Sequence, residues 1–453
     1  MGKENNMNFT TNYILENYIL NTKWEDLPIN VQERAIVCSI DLMTALILGS
    51  KGNQYKAGVS LAKSIYRDGN NTVIGLDDKF DFIGATVALG HASNSFDIDD
   101  GHNMIKGHPG TSIIAGILAA ALEKDITYKE FLTTLVVSYE TAIRSGLAMQ
   151  KHYNYLHSTG AYGAVGTSAG VSRIFGLSKE QLNNALSIAD FHAPLTPVMR
   201  AVEYPSMNKD GVPFGALIGA MAVLETLSGT TGKTHLLELD EFEYLLNSLG
   251  EKYEIMNLYF KPFTCCRWAH PAILASNSLI NKYNINKDEI VRVNVHTFDS
   301  ATRLSKIVPK TTDEAQYNIS FPIAVGIVDG DVGIEQVIDH NLDREEVISF
   351  MNKINFVVDE EIEARFPAER LCKVEFILEN GTAYMSDLFA PIGEAKDNVD
   401  IKWIKEKFER ITKPLLTKEN QNRILSLLSN ENNVSMKKVV EIVNDCLIEY
   451  AYI

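Results

Sequence analysis

The sequence predicts a mainly α-helical protein in which a smaller α+β domain is inserted into a large all-helical domain. Three patterns support this prediction. Helical periodicity runs from residue 10 to about 255, strand-like alternation appears between 290 and 386, and amphipathic helical patterns return after 399. A chain of 453 residues is also too long for one ordinary core. We expect a helical domain from residues 1–262 and 396–453, with an α+β lid domain at 263–395.

The N-terminal helices are predicted to be buried on most sides. Residues 31–48 read VQERAIVCSIDLMTALIL, with polar residues confined to one side, and Gly49 follows where a C-cap is expected. Small residues recur inside the later helical patterns, as in GAYGAVGTSAGVSRIFG. Glycine is a poor helix former, so its repeated use indicates closely packed helices. The further predicted helices are at 81–93, 110–123, 128–149 and 160–175.

The central region changes to strand patterns. Residues 290–298 alternate apolar side chains with Arg292, Asn294 and His296, which predicts a half-buried strand. Residues 373–386 contain Asn-Gly between two β-rich runs, a strong hairpin signal. Residues 324–329 and 344–355 are expected to be further helices or connections.

The charge and the cysteines exclude several classes of protein. A net charge of −16, from 42 basic and 58 acidic residues, argues against nucleic-acid binding, which needs a basic surface. An anionic substrate would therefore need a local basic cluster. The odd, dispersed cysteines favour neither a disulfide framework nor a zinc or iron–sulfur site. They are Cys38, Cys265, Cys266, Cys372 and Cys446.

No targeting or membrane segment is expected. The first residues, MGKENNMNFT, contain no apolar run of the kind that marks a secretory signal. The longest apolar stretches, such as residues 113–122, are shorter than the roughly 20 residues that cross a bilayer. We expect a cytoplasmic protein with no membrane partner.

The first candidate site is the segment SFDIDDGHNMIKGHPGT at 95–111. Glycine and proline make it a loop between two helices, and such loops often carry catalytic groups. One alternative is a helix-capping loop with solvated charges. Another is a metal site in which His102 and His108 join an aspartate, although the spacing of a calcium loop is missing. The ionisable residues of the segment are Asp97, Asp99, Asp100, His102, Lys106 and His108.

The second candidate is KPFTCCRWAHP at 261–271. Its cationic or potentially cationic residues are Lys261, Arg267 and His270, and it lies at the predicted domain junction, a preferred place for ligands. Arginine matches a carboxylate with two parallel hydrogen bonds, and lysine supplies a point charge. The alternative is a structural hinge with a surface ion cluster. The adjacent cysteines are expected to pack, because no Cys/His/Asn signature accompanies them.

Two single residues complete the set. His157 precedes one Gly/Ala-rich helix and Lys209 precedes another. Their ordinary alternatives are a structural histidine and an exposed loop lysine. Together the four segments supply imidazoles, lysines, an arginine and an aspartate. That combination suits binding of a di- or tricarboxylate and transfer of a proton beside a carboxylate.

The order of these motifs resembles the MmgE/PrpD family over residues 10 to 450. The motifs are FD-x-DD…HPG, a His before a Gly/Ala helix, K-x-G, K-x-F-x-x-C-x-W-x-HPA, and a late NG hairpin followed by KFERIT. This family includes 2-methylcitrate dehydratase, cis-aconitate decarboxylase and iminodisuccinate epimerase. The resemblance implies a helical domain made from both termini, an α+β lid and a homodimer through the helical part. It also implies catalysis without metal, iron–sulfur cluster or organic cofactor.

The family's active-site positions fall on five residues of this chain. Arg267 and His270 extend the same wall, and His102 is a reserve candidate. The five positions are Asp97, His108, His157, Lys209 and Lys261.

The sequence departs from the dehydratase and decarboxylase patterns in three places. Gly101 and His102 stand where those enzymes place Thr and an aromatic residue. Cys266 stands where the decarboxylase pattern has a second His, and Phe321 replaces the family's tyrosine, with Tyr317 nearby. The DDGH…HPG loop fits better with the epimerase-like branch or an uncharacterised branch of the family.

The first hypothesis is a lyase that removes water, or another β-leaving group, from a hydroxy-di- or tricarboxylate. His108 or His157 takes the α-proton and the other protonates the leaving group. Lys209, Lys261 and Arg267 hold carboxylates. The alternatives are an epimerase or racemase of an imino- or amino-dicarboxylate, a cis-aconitate-type decarboxylase, and a non-catalytic carboxylate-binding protein.

Overall fold

The computed structural model describes residues 9–448 and confirms a mainly α-helical fold. The α-helices are α1 (Phe9–Asn21), α2 (Ile29–Gly49), α3 (Asn53–Ile65), α4 (Phe82–Ser93), α5 (Pro109–Lys124), α6 (Tyr128–His152), α7 (Thr159–Phe175), α8 (Lys179–His192), α9 (Met199–Glu203), α10 (Val212–Leu227), α11 (Glu243–Leu246), α12 (His270–Tyr283), α13 (Asp299–Thr302), α14 (Thr312–Gln316), α15 (Ser320–Asp329), α16 (Ile334–Val337), α17 (Glu345–Lys353), α18 (Glu360–Glu363), α19 (Ile401–Thr412), α20 (Lys418–Leu428) and α21 (Met436–Ile448). The strands are β1 (Asp68–Thr72), β2 (Lys79–Phe80), β3 (Gly101–His102), β4 (Leu258–Tyr259), β5 (Ile290–Thr297), β6 (Ile354–Val358), β7 (Lys373–Leu378) and β8 (Ala383–Met385).

Both ends of the chain contribute to one helical core, as the sequence predicts. Helix α7 packs against α5, α6 and α10, and the C-terminal helices α19 and α20 pack against α2. The small residues allow this closeness. A Cβ on Gly166 would lie 2.5 Å from the Ala142 side chain, and one on Gly219 would lie 2.4 Å from the carbonyl oxygen of Ala164. Glycine in these helices therefore serves packing.

The predicted C-cap role of Gly49 is wrong. Helix α2 includes Gly49, and Ser50 is the C-cap, in a right-handed conformation. A Cβ at Gly49 would lie 1.9 Å from the carbonyl oxygen of Ala92, at the end of α4. The glycine is there because two helices touch, and not because the chain turns.

The α+β region is built on a four-stranded sheet in the order β6-β5-β7-β8. Strand β5 is half-buried, as predicted, and pairs antiparallel with β7 and parallel with β6. The predicted hairpin joins β7 to β8, with Gly381 at φ +82°. The sequence patterns did not predict strand β6. Its five residues begin within the segment 344–355 and directly follow the helical pattern of α17.

A two-residue antiparallel ladder brings the candidate loop to the start of the α+β region. Gly101 pairs with Tyr259 and His102 with Leu258. Lys261 lies two residues beyond this ladder, so the loop at 97–108 faces it. The domain boundaries at 262 and 395 stay predictions.

Within residues 9–448, no single helix is both long and apolar enough to cross a membrane. Helices α2 and α3 meet the length and composition criteria only as a pair, and they are bent by 82° relative to each other.

Candidate active site

The backbone is strained at three residues of two candidate segments. Asp97, Lys106 and Lys209 have φ values of 50°, 56° and 47°, in the left-handed region that non-glycine residues rarely adopt. Such conformations persist only where the surroundings hold them, and they cluster at functional sites. At Asp97 the backbone carbonyl accepts a hydrogen bond from the ammonium of Lys261 at 3.0 Å.

Four ionisable side chains from the loop and the lid region meet in one cluster. The Lys261 ammonium lies 2.7 Å from the Asp97 carboxylate. The His108 ring lies between two carboxylates, with Nδ1 2.9 Å from Asp99 and Nε2 3.8 Å from Asp97. The amide of Asn94 donates to the second oxygen of Asp99 at 2.8 Å. We call Asp97, Asp99, His108 and Lys261 the front cluster.

The surroundings of His108 favour its protonated form. Burial and the Lys261 charge lower the pKa of His108, but the charge and the hydrogen bond of Asp99 outweigh them and raise it to about 10. Burial opposes ionisation of Asp99, yet His108 and Lys261 hold its pKa below the usual value. The front cluster therefore places two cations, Lys261 and protonated His108, beside the carboxylates of Asp97 and Asp99.

Asp97, Asp99 and His108 also have the geometry of a metal site, since one ligand atom from each lies within 4.8 Å of the others. Their charges fit a metal poorly. Lys261 already neutralises Asp97, and a metal-ligating histidine must be neutral, whereas His108 is held protonated. His102, the second imidazole of the sequence-based metal hypothesis, lies outside this group of ligands.

Lys209 is buried, which overturns its reading as an exposed loop lysine. Its ammonium lies 2.9 Å from the Asp313 carboxylate and donates to the side-chain oxygen of Gln316. The ring of Tyr317 lies 5.8 Å from the same ammonium. The amide of Gln316 donates to the backbone carbonyl of Ser95 at 3.1 Å. Gln316 therefore connects Lys209 to the start of the loop at 95–111, which we call the catalytic loop.

His157 is fully buried, and both of its ring nitrogens have no hydrogen-bond partner within the described residues. The ring packs on Tyr153 and Tyr155, with centroids 4.7 and 4.3 Å away. Burial lowers its pKa, so this histidine is neutral. A buried, unpaired imidazole is costly, and a bound ligand would relieve that cost.

Thr159 and Asp210 join three of the candidate segments. The Thr159 hydroxyl accepts from the backbone N–H of His108 at 3.0 Å and donates to the Asp210 carboxylate. The Asp210 carboxylate also accepts from the backbone N–H of Thr159 at 2.9 Å. Because Thr159 follows His157 by two positions and Asp210 follows Lys209, these bonds bring both segments to the catalytic loop.

The remaining candidates lie around this centre. Arg267 stacks 3.7 Å from the centroid of the Tyr259 ring, forms an ion pair with Glu394 and donates to Asn103 at 2.8 Å. His270 is fully buried, and its Nε2 bonds to the carbonyl of Cys265 at 3.0 Å.

His102 lies 3.7 Å from Glu254. Within the described residues, no side-chain ion pair or hydrogen bond joins His102 or His270 to the front cluster. His102 and His270 are therefore better placed to support the site than to touch a substrate.

A second ionic group lies behind the loop. Lys407 of α19 donates to the Asp41 carboxylate of α2 and to the backbone carbonyl of Ile98, the latter at 2.7 Å. Asp100 accepts from the Tyr139 hydroxyl and, at 3.2 Å, from the N–H of Gly110.

Burial and the neighbouring Asp41 raise the pKa of Asp100 to about 7, while burial, opposed by Lys407, raises that of Asp41 to about 6. We call Asp41, Asp100, Tyr139 and Lys407 the back cluster.

Several residues of the site were missed at the level of sequence. Tyr317 is one for which a signal existed. Phe321 occupies the apolar core, whereas Tyr317 lies beside Lys209 with a pKa raised by burial and by Asp97 and Asp210. Motif spacing gave no signal for the others, which are Asp41, Tyr139, Thr159, Asp210, Tyr259, Asp313, Gln316 and Lys407.

Fold and site together define a helical protein with an α+β lid and a buried acid–base centre rich in lysine. Models of the MmgE/PrpD N-terminal and C-terminal domains match residues 14–254 and 263–432. The chain belongs to the MmgE/PrpD family.

Curated relatives are distant but matched over most of their length. The cis-aconitate decarboxylase-like protein oryM of Aspergillus oryzae is 23% identical, over 94% of this chain and 96% of the relative. Two cis-aconitate decarboxylase sequences of Aspergillus terreus are each 21% identical. They cover 82% and 90% of this chain, and 83% and 91% of their own length.

Proposed function

We propose that this protein is a cofactor-independent, dehydratase-type lyase that acts on a small di- or tricarboxylic acid by removing a proton beside a carboxylate. One observation carries the proposal. Two imidazoles in neighbouring segments, His108 half-buried and His157 buried, are pushed in opposite directions, His108 towards its protonated form and His157 towards its neutral form. Pairs of groups with separated pKa values are how an enzyme assigns acid and base roles.

The separation supports a specific division of labour. Neutral His157, with both ring nitrogens unpaired, is the base that takes the α-proton. Protonated His108, held through Nδ1 by Asp99, is the acid that gives its Nε2 proton to the leaving hydroxyl. The α-C–H and β-C–O bonds break, a C=C bond forms, and water leaves. His157 then loses its proton to solvent, and His108 takes one up from solvent, so both return to their starting forms.

The two buried lysines suit the carboxylates of the substrate. Lys261 and Lys209 are neutralised by Asp97 and Asp313. A substrate carboxylate that approaches either ammonium shares that cation with the aspartate. Positive charge fixed beside the reacting carboxylate also stabilises the enolate that forms when the base removes the α-proton.

Decarboxylation is the second candidate, favoured by the relatives that carry that name. It would use the same acid: a C–C bond breaks, carbon dioxide leaves, and His108 protonates the carbanion. Cys266 bears on this choice, because burial raises the pKa of its thiol to about 11. A neutral thiol stands where the decarboxylase pattern has a second histidine.

The test is turnover in heavy water, followed by proton NMR over a panel of citrate-like and aspartate-like acids. Elimination gives a new olefinic signal, decarboxylation a product one carbon shorter, and epimerisation a deuterated diastereomer. We expect elimination, with deuterium exchanged into the recovered substrate beside a carboxylate by reversible removal of the α-proton.

His157→Asn and His108→Asn should each slow turnover by about 10²–10⁴-fold, the usual cost of losing a general base or acid. His340→Asn, on an exposed turn, is the matched control. Full activity in either site variant would reject the acid–base assignment. Turnover that yields only shortened products would replace the dehydratase by the decarboxylase.

A further inference from the structure

A cavity outside the candidate active site lies between the N-terminal end of α2 and the N-terminal end of α19. Its volume is about 580 Å³, within the range of small-molecule sites. Apolar side chains form much of its wall, among them Trp24, Val37, Met256 and Val399. The proposed reaction makes no use of this space.

Arg34 is the unusual member of the cavity wall. Its side chain is only 7% exposed, and within residues 9–448 its Nη1 is buried without a hydrogen-bond partner. The guanidinium lies over the ring of Phe260, 5.4 Å from the centroid. A ring face attracts a cation weakly, and it cannot replace the water or the anion that a buried guanidinium has lost. The group is therefore placed to accept an anion.

The acidic residues around the cavity do not meet this need. Glu33, Asp400 and Glu431 line it but are exposed, so water screens their charges. Asp400 is also occupied as the N-cap of α19, accepting from the N–H of Trp403 at 2.8 Å. These three carboxylates would repel a ligand that carries a second negative charge at the mouth.

We infer that this cavity is a binding site for a small organic monocarboxylate with an apolar tail. The carboxylate meets the fork of Arg34 with charge-assisted hydrogen bonds, and the tail packs on the apolar wall. The preference is opposite to that of the proposed active site, where two buried lysines suit a ligand with two or more carboxylates.

The cavity is connected to the catalytic loop by two adjacent helices. Arg34 and Asp41 are seven residues apart on α2, close to two turns, so they share one side of the helix. On α19, Ile401 lines the cavity at the start of the helix, and Lys407 lies six residues further along the same helix. One end of this helix pair lines the cavity, and the other end forms the ion pair behind the loop.

Isothermal titration with hexanoate tests the site, with hexan-1-ol and succinate as comparison probes. We expect saturable binding of hexanoate to the native protein, and much weaker binding of the alcohol and the dicarboxylate. Arg34→Met should weaken hexanoate binding by about tenfold to a hundredfold, the effect of losing a hydrogen-bonded charge. Arg34→Lys, which keeps the charge without the fork, should lie between.

Two controls separate this site from the catalytic one. Lys402→Gln removes an exposed charge from α19 and should leave binding unchanged. His108→Asn should also leave hexanoate binding unchanged, whether or not the proposed reaction is correct. Equal binding of hexanoate to native protein and a folded Arg34→Met variant would overturn the inference. Equal binding of hexan-1-ol, competition by succinate, or no saturable binding would overturn it as well.

Discussion

The two ionic clusters on either side of the catalytic loop each contain two aspartates and a lysine, but the fourth member is a histidine at the front and a tyrosine at the back, and their surroundings differ. The front cluster is shared between the loop and the segment that begins the α+β region, and its histidine is the less buried member, with 13% of the side chain exposed. The back cluster lies inside the helical core, where the Lys407 and Asp41 side chains are 2% and 0% exposed.

This difference teaches that burial of charge has two uses here. At the front, a substrate carboxylate can share the cation of Lys261, and His108 can gain or lose a proton. At the back, every partner belongs to the protein, and the charges fix the loop through the carbonyl of Ile98. The front should therefore control rate and pH dependence, and the back should control stability.

The largest expected effect is on stability, from Lys407→Met. It leaves Asp41 buried without its cation, and breaking one side of a buried pair costs about 3–5 kcal/mol. Urea denaturation measures the loss. Lys438→Met, in an exposed pair with Glu441, should cost less than about 1 kcal/mol. The double variant with Asp41→Asn should recover part of the loss, and equal losses in both lysine variants would contradict the role of the back cluster.

At the front, Lys261→Met should act mainly on catalysis. We expect kcat/KM to fall by the equivalent of about 2–5 kcal/mol, because a substrate carboxylate and the enolate both lose their cation. The fold should survive, since protonated His108 stays beside Asp97. Steady-state kinetics and circular dichroism give the two readouts, with Lys402→Met as the exposed control. Unchanged kinetic constants would remove Lys261 from the site.

The third prediction concerns pH. His108 must be protonated to act as an acid, so activity should fall as pH rises through its pKa of about 10. Because this folded-state pKa is raised, its contribution to stability is complete below about 6.5, the usual histidine value, and is lost as pH rises through about 10.

Asp99→Asn removes the main cause of the raised pKa of His108. The alkaline limb of the pH profile of kcat/KM should therefore move from about 10 towards 6.5. Denaturation at several pH values should show the smaller stability difference. An alkaline limb that stays in place would assign it to another group.

The smallest expected effect comes from adding a side chain at Gly101. A Cβ there would lie 2.2 Å from the Tyr259 hydroxyl. Gly101→Thr should displace this ring from Arg267 and cost about 1–3 kcal/mol in stability. Combining it with Tyr259→Leu should cost less than the sum of the two single changes. Strict additivity would show that the two positions are independent.

Short-range sequence patterns predicted much of the fold. Asp81 precedes an apolar run and is the N-cap of α4, accepting from the N–H of Gly84 at 2.7 Å. The Asn-Gly pair predicted the β7–β8 hairpin because a tight turn depends on neighbours in sequence, although the observed loop has three residues, 379–381, between Leu378 and Thr382. Gly49 shows the limit, because a helix end and a helix contact both favour glycine, and only the structure separates them.

The site was predictable in its residue types and less so in its partners. Motif spacing located Asp97, His108 and Lys261, which the structure brings together. The partner of Lys209 is Asp313, more than a hundred residues away, and an ion pair at that separation leaves no periodic pattern. The opposite pKa shifts of the two histidines likewise depend on burial and on Asp99, which tertiary packing decides.

The ion pair between Asp41 and Lys407 has a consequence for biosynthesis. The two residues are 366 positions apart, so the loop that bears Asp97 is translated long before the lysine that supports it from behind. On the ribosome, the carboxylates of Asp41 and Asp100 have to remain hydrated, or contact another polar partner, until α19 has emerged. A nascent chain shorter than about residue 410 would carry every proposed catalytic residue and still be inactive. Synthesis therefore completes the centre only once α19, which follows the α+β region, has been made.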